Sequence, residues 1–136
     1  MLRERLIARV DAEGPLPFDE FLRAVLYDPE DGYFAAGPLR SEQAGDFLTS
    51  PEVSPLFGET IARFGAAEAA RLGDDPVDLV AVGAGSGSLL WPLLASLETP
   101  ARVWAVEVSA AARQAVSARV PEARVAASLD EVPAPL

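Results

Sequence analysis

Gly83, Gly85 and Gly87 punctuate the run Val77-Asp78-Leu79-Val80-Ala81-Val82-Gly83-Ala84-Gly85-Ser86-Gly87-Ser88-Leu89-Leu90, and Glu107 follows 24 residues after the first of them. Glycine lacks a Cβ, so the chain can turn sharply there, take positive φ and let a ligand lie against bare backbone. Where such a loop opens a helix, its free amides attract polar or anionic groups. An acid about 20 residues beyond a strand-borne glycine loop sits where a carboxylate accepts the hydroxyls of a ribose. The implied chemistry is recognition of a nucleoside cofactor by Gly83, Gly85 and Gly87, with Glu107 as bidentate ribose acceptor. A dinucleotide pattern, Gly-X-Gly-X-X-Gly, needs its last glycine where Ser88 stands, which argues against a nicotinamide-dependent oxidoreductase. The alternatives are a ligand-free glycine turn and a solvent-facing carboxylate at a strand end.

The elements that must position these residues are readable. Val77 to Val82 is Val-rich and bounded by Pro76 and glycine, a short buried strand, and the apolar run through Leu97 suits a buried helix. Arg102 to Val108 alternates as a second strand. Ser109 is placed to cap a helix from Ala110 to Arg119, stopped by Pro121, and Arg124 to Ala127 reads as a third strand. Strands alternating with helices imply parallel pairing. Upstream, residues 2 to 12 form an amphipathic helix and Phe18 to Leu26 a second, with Asp19 and Glu20 in its first turn. Tyr27, Tyr33 and Phe34 cluster around a turn, as packing or as a substrate platform. Residues 35 to 48 read as a loop. A long helix starts at Pro51, capped by Ser50, and runs to Arg71 with an apolar face meant for the sheet.

Composition narrows the function classes. The chain has 136 residues, half of them hydrophobic, which suits one compact domain. Its net charge is −10, from 21 acids and 11 scattered arginines, a surface that repels nucleic acid and anionic membranes. Cysteine and histidine are both absent, so disulfides, thiolate metal sites and histidine catalysis are excluded. No carboxylate spacing points to a metal. The start, Met1-Leu2-Arg3-Glu4-Arg5-Leu6-Ile7, lacks a signal-peptide core and is not acid-poor, so a cytoplasmic protein is expected. The uncharged run Leu79 to Leu97 approaches a membrane span in length, but its glycines, serines and Pro92 oppose that reading.

Four stretches carry a resemblance: Gly14-Pro15-Leu16-Pro17-Phe18, Leu26-Tyr27-Asp28-Pro29-Glu30-Asp31-Gly32-Tyr33, Gly45-Asp46-Phe47-Leu48-Thr49-Ser50-Pro51-Glu52-Val53-Ser54-Pro55-Leu56-Phe57-Gly58-Glu59, and the glycine loop. With these the chain resembles the MidA-type S-adenosylmethionine-dependent methyltransferases, whose mitochondrial members act in complex I assembly as protein arginine methyltransferases. The resemblance implies an α/β class I methyltransferase fold, a Rossmann-like parallel sheet of two or three strands preceded by an N-terminal helical segment. It divides the chain into residues 1–75, helices and a loop covering the cofactor site, and 76–136, the first part of the cofactor domain. It implies S-adenosylmethionine held by Gly83, Gly85, Gly87 and Glu107, with Thr49 and Ser50 adding contacts. Asp46 and Glu52 are the candidate catalytic residues, orienting a cationic acceptor on a protein partner, such as a respiratory complex I type subunit. Their alternative roles are fixing a turn and complementing a helix dipole.

Two departures from the family stand out. Ala81 occupies the first-strand position that is usually acidic, near the cofactor's amino group. Family members are also more than twice this long, so a truncated chain is expected, lacking the fourth strand and leaving the edge Leu79 to Val82 unpaired. A truncated, non-catalytic cofactor-binding or protein-interaction module is the alternative function.

Overall fold

The computed structural model describes residues 1–37, 39–40, 45–73, 77–97 and 101–133. These divide into two compact units, Met1–Pro38 and Leu39–Leu136.

In the first unit, α1 (Leu2–Glu13) ends at Gly14, whose φ of 89° releases the chain from the helix, and α2 (Phe18–Tyr27) ends at Asp28. Asp28 organises the following turn: its Oδ1 accepts the N–H groups of Glu30 and Asp31, each at 3.0 Å. Gly32 is buried, and a Cβ there would lie 2.4 Å from the Asp28 nitrogen, so only glycine fits. The next two amides return to the helix end, Tyr33 to Val25 and Phe34 to Leu26. This stacks Tyr33 edge-on to Phe34 at 4.8 Å and sets Tyr27 6.0 Å from Phe34. The aromatics around the turn therefore pack on one another. Arg5 of α1 ties the unit together through Asp28 at 2.6 Å and Glu30 at 2.7 Å.

The second unit opens with α3 (Ser50–Val53) and α4 (Leu56–Leu72), where the sequence predicts one helix from Pro51. The break is at Ser54, whose extended backbone (φ −157°) interrupts the helical geometry, and Pro55 then starts the second helix. The cap is also one residue earlier than expected: Thr49 caps α3 and Ser50 is its first residue. The sheet consists of β1 (Val77–Val82), β2 (Ala101–Val106) and β3 (Arg124–Ala126), all parallel in that order. The crossovers contain α5 (Leu90–Ser96) and α6 (Ala110–Arg119). This is the α/β parallel architecture expected.

Alternation along the strands builds two cores. Val103 and Ala105 join Leu90, Val116 and Val120 beneath the helices, with Leu79 and Ala81 packed alongside. On the opposite face Val106 and Ala126 meet Val132 beside Val80 and Trp104. A 3₁₀ turn, Leu129–Glu131, is capped by Ser128 and brings Val132 into place. The apolar face of α4 was expected to cover the sheet, but the helix packs against α5 instead. Gly58 permits this: a Cβ there would lie 2.5 Å from Pro92 Cγ. That packing places α3 and α4 in the same compact unit as the sheet. Among the described residues, no helix is long and apolar enough to cross a membrane.

Candidate functional site

The glycine loop begins where β1 runs out of partners. The amides of Gly83 and Ala84 both donate to the Val106 carbonyl, at 2.8 and 3.1 Å, folding the chain over the end of β2. Gly83, Gly85 and Gly87 take φ of 70°, 55° and 79°, the left-handed region that side chains resist. Their open faces differ. A Cβ on Gly83 or Gly85 would meet nothing within 4 Å, whereas one on Gly87 would lie 2.9 Å from Val116 Cγ2. The first two glycines thus present bare backbone to open space, and the third lets the loop sit against α6.

Glu107 lies at the end of β2 and closes the other side of the loop. Its Oε2 accepts the Gly85 N–H and its Oε1 the Ser109 N–H, both at 2.9 Å. A carboxylate offers about four lone-pair sites, so Glu107 retains acceptor capacity for two hydroxyls after both bonds. The side chain is half-buried, which keeps it reachable. Ser109 also accepts the Ala112 N–H, so one short stretch anchors the loop and starts α6. An open glycine cradle beside a carboxylate with spare acceptor sites fits a nucleoside cofactor such as S-adenosylmethionine.

Beside the loop lies a cleft of about 630 Å³, walled by Pro51 to Pro55 on one side and by Ser86, Ser88, Trp91 and Arg119 on the other. Glu52 contributes to this cleft. Its Oε2 accepts from both the Thr49 N–H and the Thr49 hydroxyl at 2.7 Å, a capping box at the start of α3. Its Oε1 is buried and has no hydrogen-bond partner among the described residues. The Thr49 hydroxyl proton is thereby committed, and Ser50 is exposed at the head of the helix. Asp46, exposed, is paired with Arg40 at 3.4 Å and is not among the residues lining the cleft. The structure therefore brings Gly83, Gly85 and Glu107 together and places Glu52 in the neighbouring cleft, while Asp46 is not one of the residues lining that cleft.

Sequence reasoning missed two features, one in this site and one in the first unit. Ser86 is buried and its Oγ accepts from Arg119 Nη1 at 2.9 Å, a link between residues 33 positions apart. The hydroxyl between two loop glycines was the available signal for a buried polar anchor. Sequence spacing also gave no metal site, whereas the fold gathers Asp28, Glu30 and Asp31 into one carboxylate group. Arg5 already pairs with all three.

No family model matches the chain. It is 37% identical over 89 residues to a mitochondrial protein named protein arginine methyltransferase NDUFAF7 homolog of Drosophila melanogaster, covering 65% of the chain and 20% of that protein. The Bos taurus and Homo sapiens proteins named protein arginine methyltransferase NDUFAF7, mitochondrial, are 37% and 35% identical over 95 residues, covering 69% of the chain and 21% of each. The chain thus spans about a fifth of the length of these relatives. Among solved structures, an uncharacterized COG1565 superfamily protein from Burkholderia thailandensis superposes with a TM-score of 0.69 at 30% identity, covering 97% of this chain and 35% of that one. The relatives' names overturn the cytoplasmic expectation, since those proteins are mitochondrial. That expectation rested on the lack of an apolar signal-peptide core and on the acids among the first residues, which in the structure belong to α1.

Proposed function

The chain is a homologue of the MidA-type methyltransferases, the family of the NDUFAF7 proteins it matches, and from that premise we propose that it serves S-adenosylmethionine-dependent methylation of an arginine on a partner protein. The observation that carries this reading is the pairing of an open, positive-φ glycine loop with Glu107 at the end of the adjacent strand. Gly83 and Gly85 would lie under the cofactor's amino-acid end, Gly87 would hold the loop close to α6, and Glu107 would accept the ribose hydroxyls. Thr49 and Ser50 would add hydroxyl contacts from the neighbouring segment. S-Adenosylmethionine, when bound, supplies a methyl group on a positively charged sulfur. The chain's own task is then to place and desolvate the acceptor nitrogen. Glu52 and Asp46 are the carboxylates for a cationic acceptor, Glu52 from the cleft wall and Asp46 from the segment before it. Either could take up the proton released as the nitrogen–carbon bond forms. The narrower form of the reading, a subunit of respiratory complex I type as acceptor, follows from the family resemblance. The interaction-module alternative gains no support from relatives that carry the methyltransferase name.

The reading is tested by calorimetric titration of the chain with S-adenosylmethionine, with NAD as control. Saturable binding of the first and none of the second is expected. Absence of S-adenosylmethionine binding by a chain with intact circular dichroism overturns the reading, as does preferential binding of NAD.

A further inference from the structure

The cleft beside the glycine loop contains chemistry that a cofactor on Gly83, Gly85 and Glu107 leaves unused. Glu52 Oε1 is shut away from water and lacks a donor among the described residues, while its twin oxygen is held in the capping box. A desolvated carboxylate oxygen without a partner is unfavourable and is best matched by a cationic N–H donor. Trp91 lines the same cleft and leaves its indole more than half exposed. An indole face attracts guanidinium by cation–π contact and by stacking, more readily than it attracts a compact ammonium. Pro51 and Pro92 add apolar wall suited to a methylene stem. The cleft also holds Arg119, whose bond goes to the neutral Ser86 hydroxyl and which forms no ion pair among the described residues. That cation disfavours a second positive group on its own side of the cleft and attracts an anionic one.

We propose that this cleft is the acceptor subsite, taking an arginine side chain at Glu52 and Trp91 and an acidic neighbour of that arginine at Arg119. The proposal deepens the methyl-transfer reading and rests on it for the identity of the acceptor. Because Glu52 Oε1 is shut away from water, an incoming guanidinium reaches it only when neighbouring side chains shift. Ser86 and Ser88 belong both to the cleft wall and to the glycine loop, so acceptor and cofactor would be neighbours.

The test is calorimetric titration of the whole chain with the blocked peptide acetyl-Gly-Arg-Asp-amide, compared with Lys in place of Arg and Ala in place of Asp. The Arg-Asp peptide is expected to bind, and each replacement to weaken binding about tenfold, or about 1.4 kcal/mol. Glu52→Gln keeps the capping box, which accepts Gln at this position, but removes the charge, and is expected to lower affinity about tenfold. Trp91→Leu alters an exposed side chain and is expected to weaken the Arg peptide more than the Lys peptide. Arg119→Gln should erase the preference for Asp over Ala in the peptide. Unchanged affinity in Glu52→Gln, equal binding of the Lys peptide, or no peptide binding by a folded chain overturns the subsite. Peptide failure with an intact S-adenosylmethionine isotherm overturns the subsite alone. Peptide binding without S-adenosylmethionine binding supports the subsite and removes the methyl-transfer reading.

Discussion

Glu107 does two jobs that substitution can separate. Its carboxylate anchors the Gly85 and Ser109 amides, and its remaining lone pairs are available to a ligand. Hydrogen bonds to a charged group contribute about 1.5–3 kcal/mol each. With two such bonds, Glu107→Ala is therefore expected to destabilise the chain by roughly 3–6 kcal/mol on that scale and to weaken S-adenosylmethionine at least tenfold. Glu107→Gln, which still accepts, should retain most of the stability while losing affinity, as urea unfolding and calorimetry together would show. The glycines divide in a similar way. Gly83→Ala places a side chain in open space and costs only the strain of left-handed backbone, about 1–2 kcal/mol. Gly87→Ala adds a collision with Val116 and should cost clearly more in the same unfolding measurement. If Gly87→Ala were the milder of the two, the packing assigned to this glycine would be wrong.

Among the elements, the short helix α3 depends on its cap. Four residues supply little intrinsic helix stability, so the Thr49–Glu52 box largely decides whether the segment is ordered. Thr49→Val removes the hydroxyl bond and is expected to cost about 1 kcal/mol. The change should register as faster amide exchange at Glu52, Val53 and Ser54, whose N–H groups close this turn. In the first unit the joint between α1 and the turn after α2 is electrostatic. Bonds from the Asp31 and Glu30 amides, together with Arg5, hold the Asp28 carboxyl below its usual value of 3.8, while Glu30 and Asp28 raise the Arg5 guanidinium. A carboxyl lowered on folding contributes stability above its unfolded pKa, and that contribution disappears as pH falls through the folded value. Loosening of α1 is thus expected below about pH 4, the unfolded carboxylate range. Arg5→Met should move the Asp28 titration upward when its side-chain carbon is followed by NMR. An unchanged titration would mean that the backbone bonds alone hold Asp28.

At the scale of the whole molecule, ligand binding and folding are linked. A ligand at 100 times its dissociation constant stabilises the folded state by about 2.7 kcal/mol. Saturating S-adenosylmethionine should raise the thermal midpoint by several degrees, and Glu107→Ala should reduce that shift to about half or less. The helices α1, α2 and α6, the three strands and the parallel order follow from periodicities of 3.6 and 2 and from local caps, so they were legible in residue order alone. Gly83, Gly85 and Glu107 were legible for the same reason, since a strand, its loop and the next strand form one local unit. Other features depend on distant partners. The break at Ser54 is hidden within continuing apolar periodicity. Gly58 makes sense only once Pro92 lies against it, and the assignment of Gly87 to packing requires Val116. Ser86 with Arg119, and Glu52 Oε1 left without a donor, are consequences of how separate elements close around one cleft. The sequence by itself determined the element types, their parallel arrangement and a glycine loop followed by a strand-end carboxylate. Only the tertiary structure decided which of those residues face open space, which are consumed by packing and capping, and where a carboxylate oxygen is left unpaired, because burial and hydrogen-bond satisfaction depend on chain segments far apart in sequence.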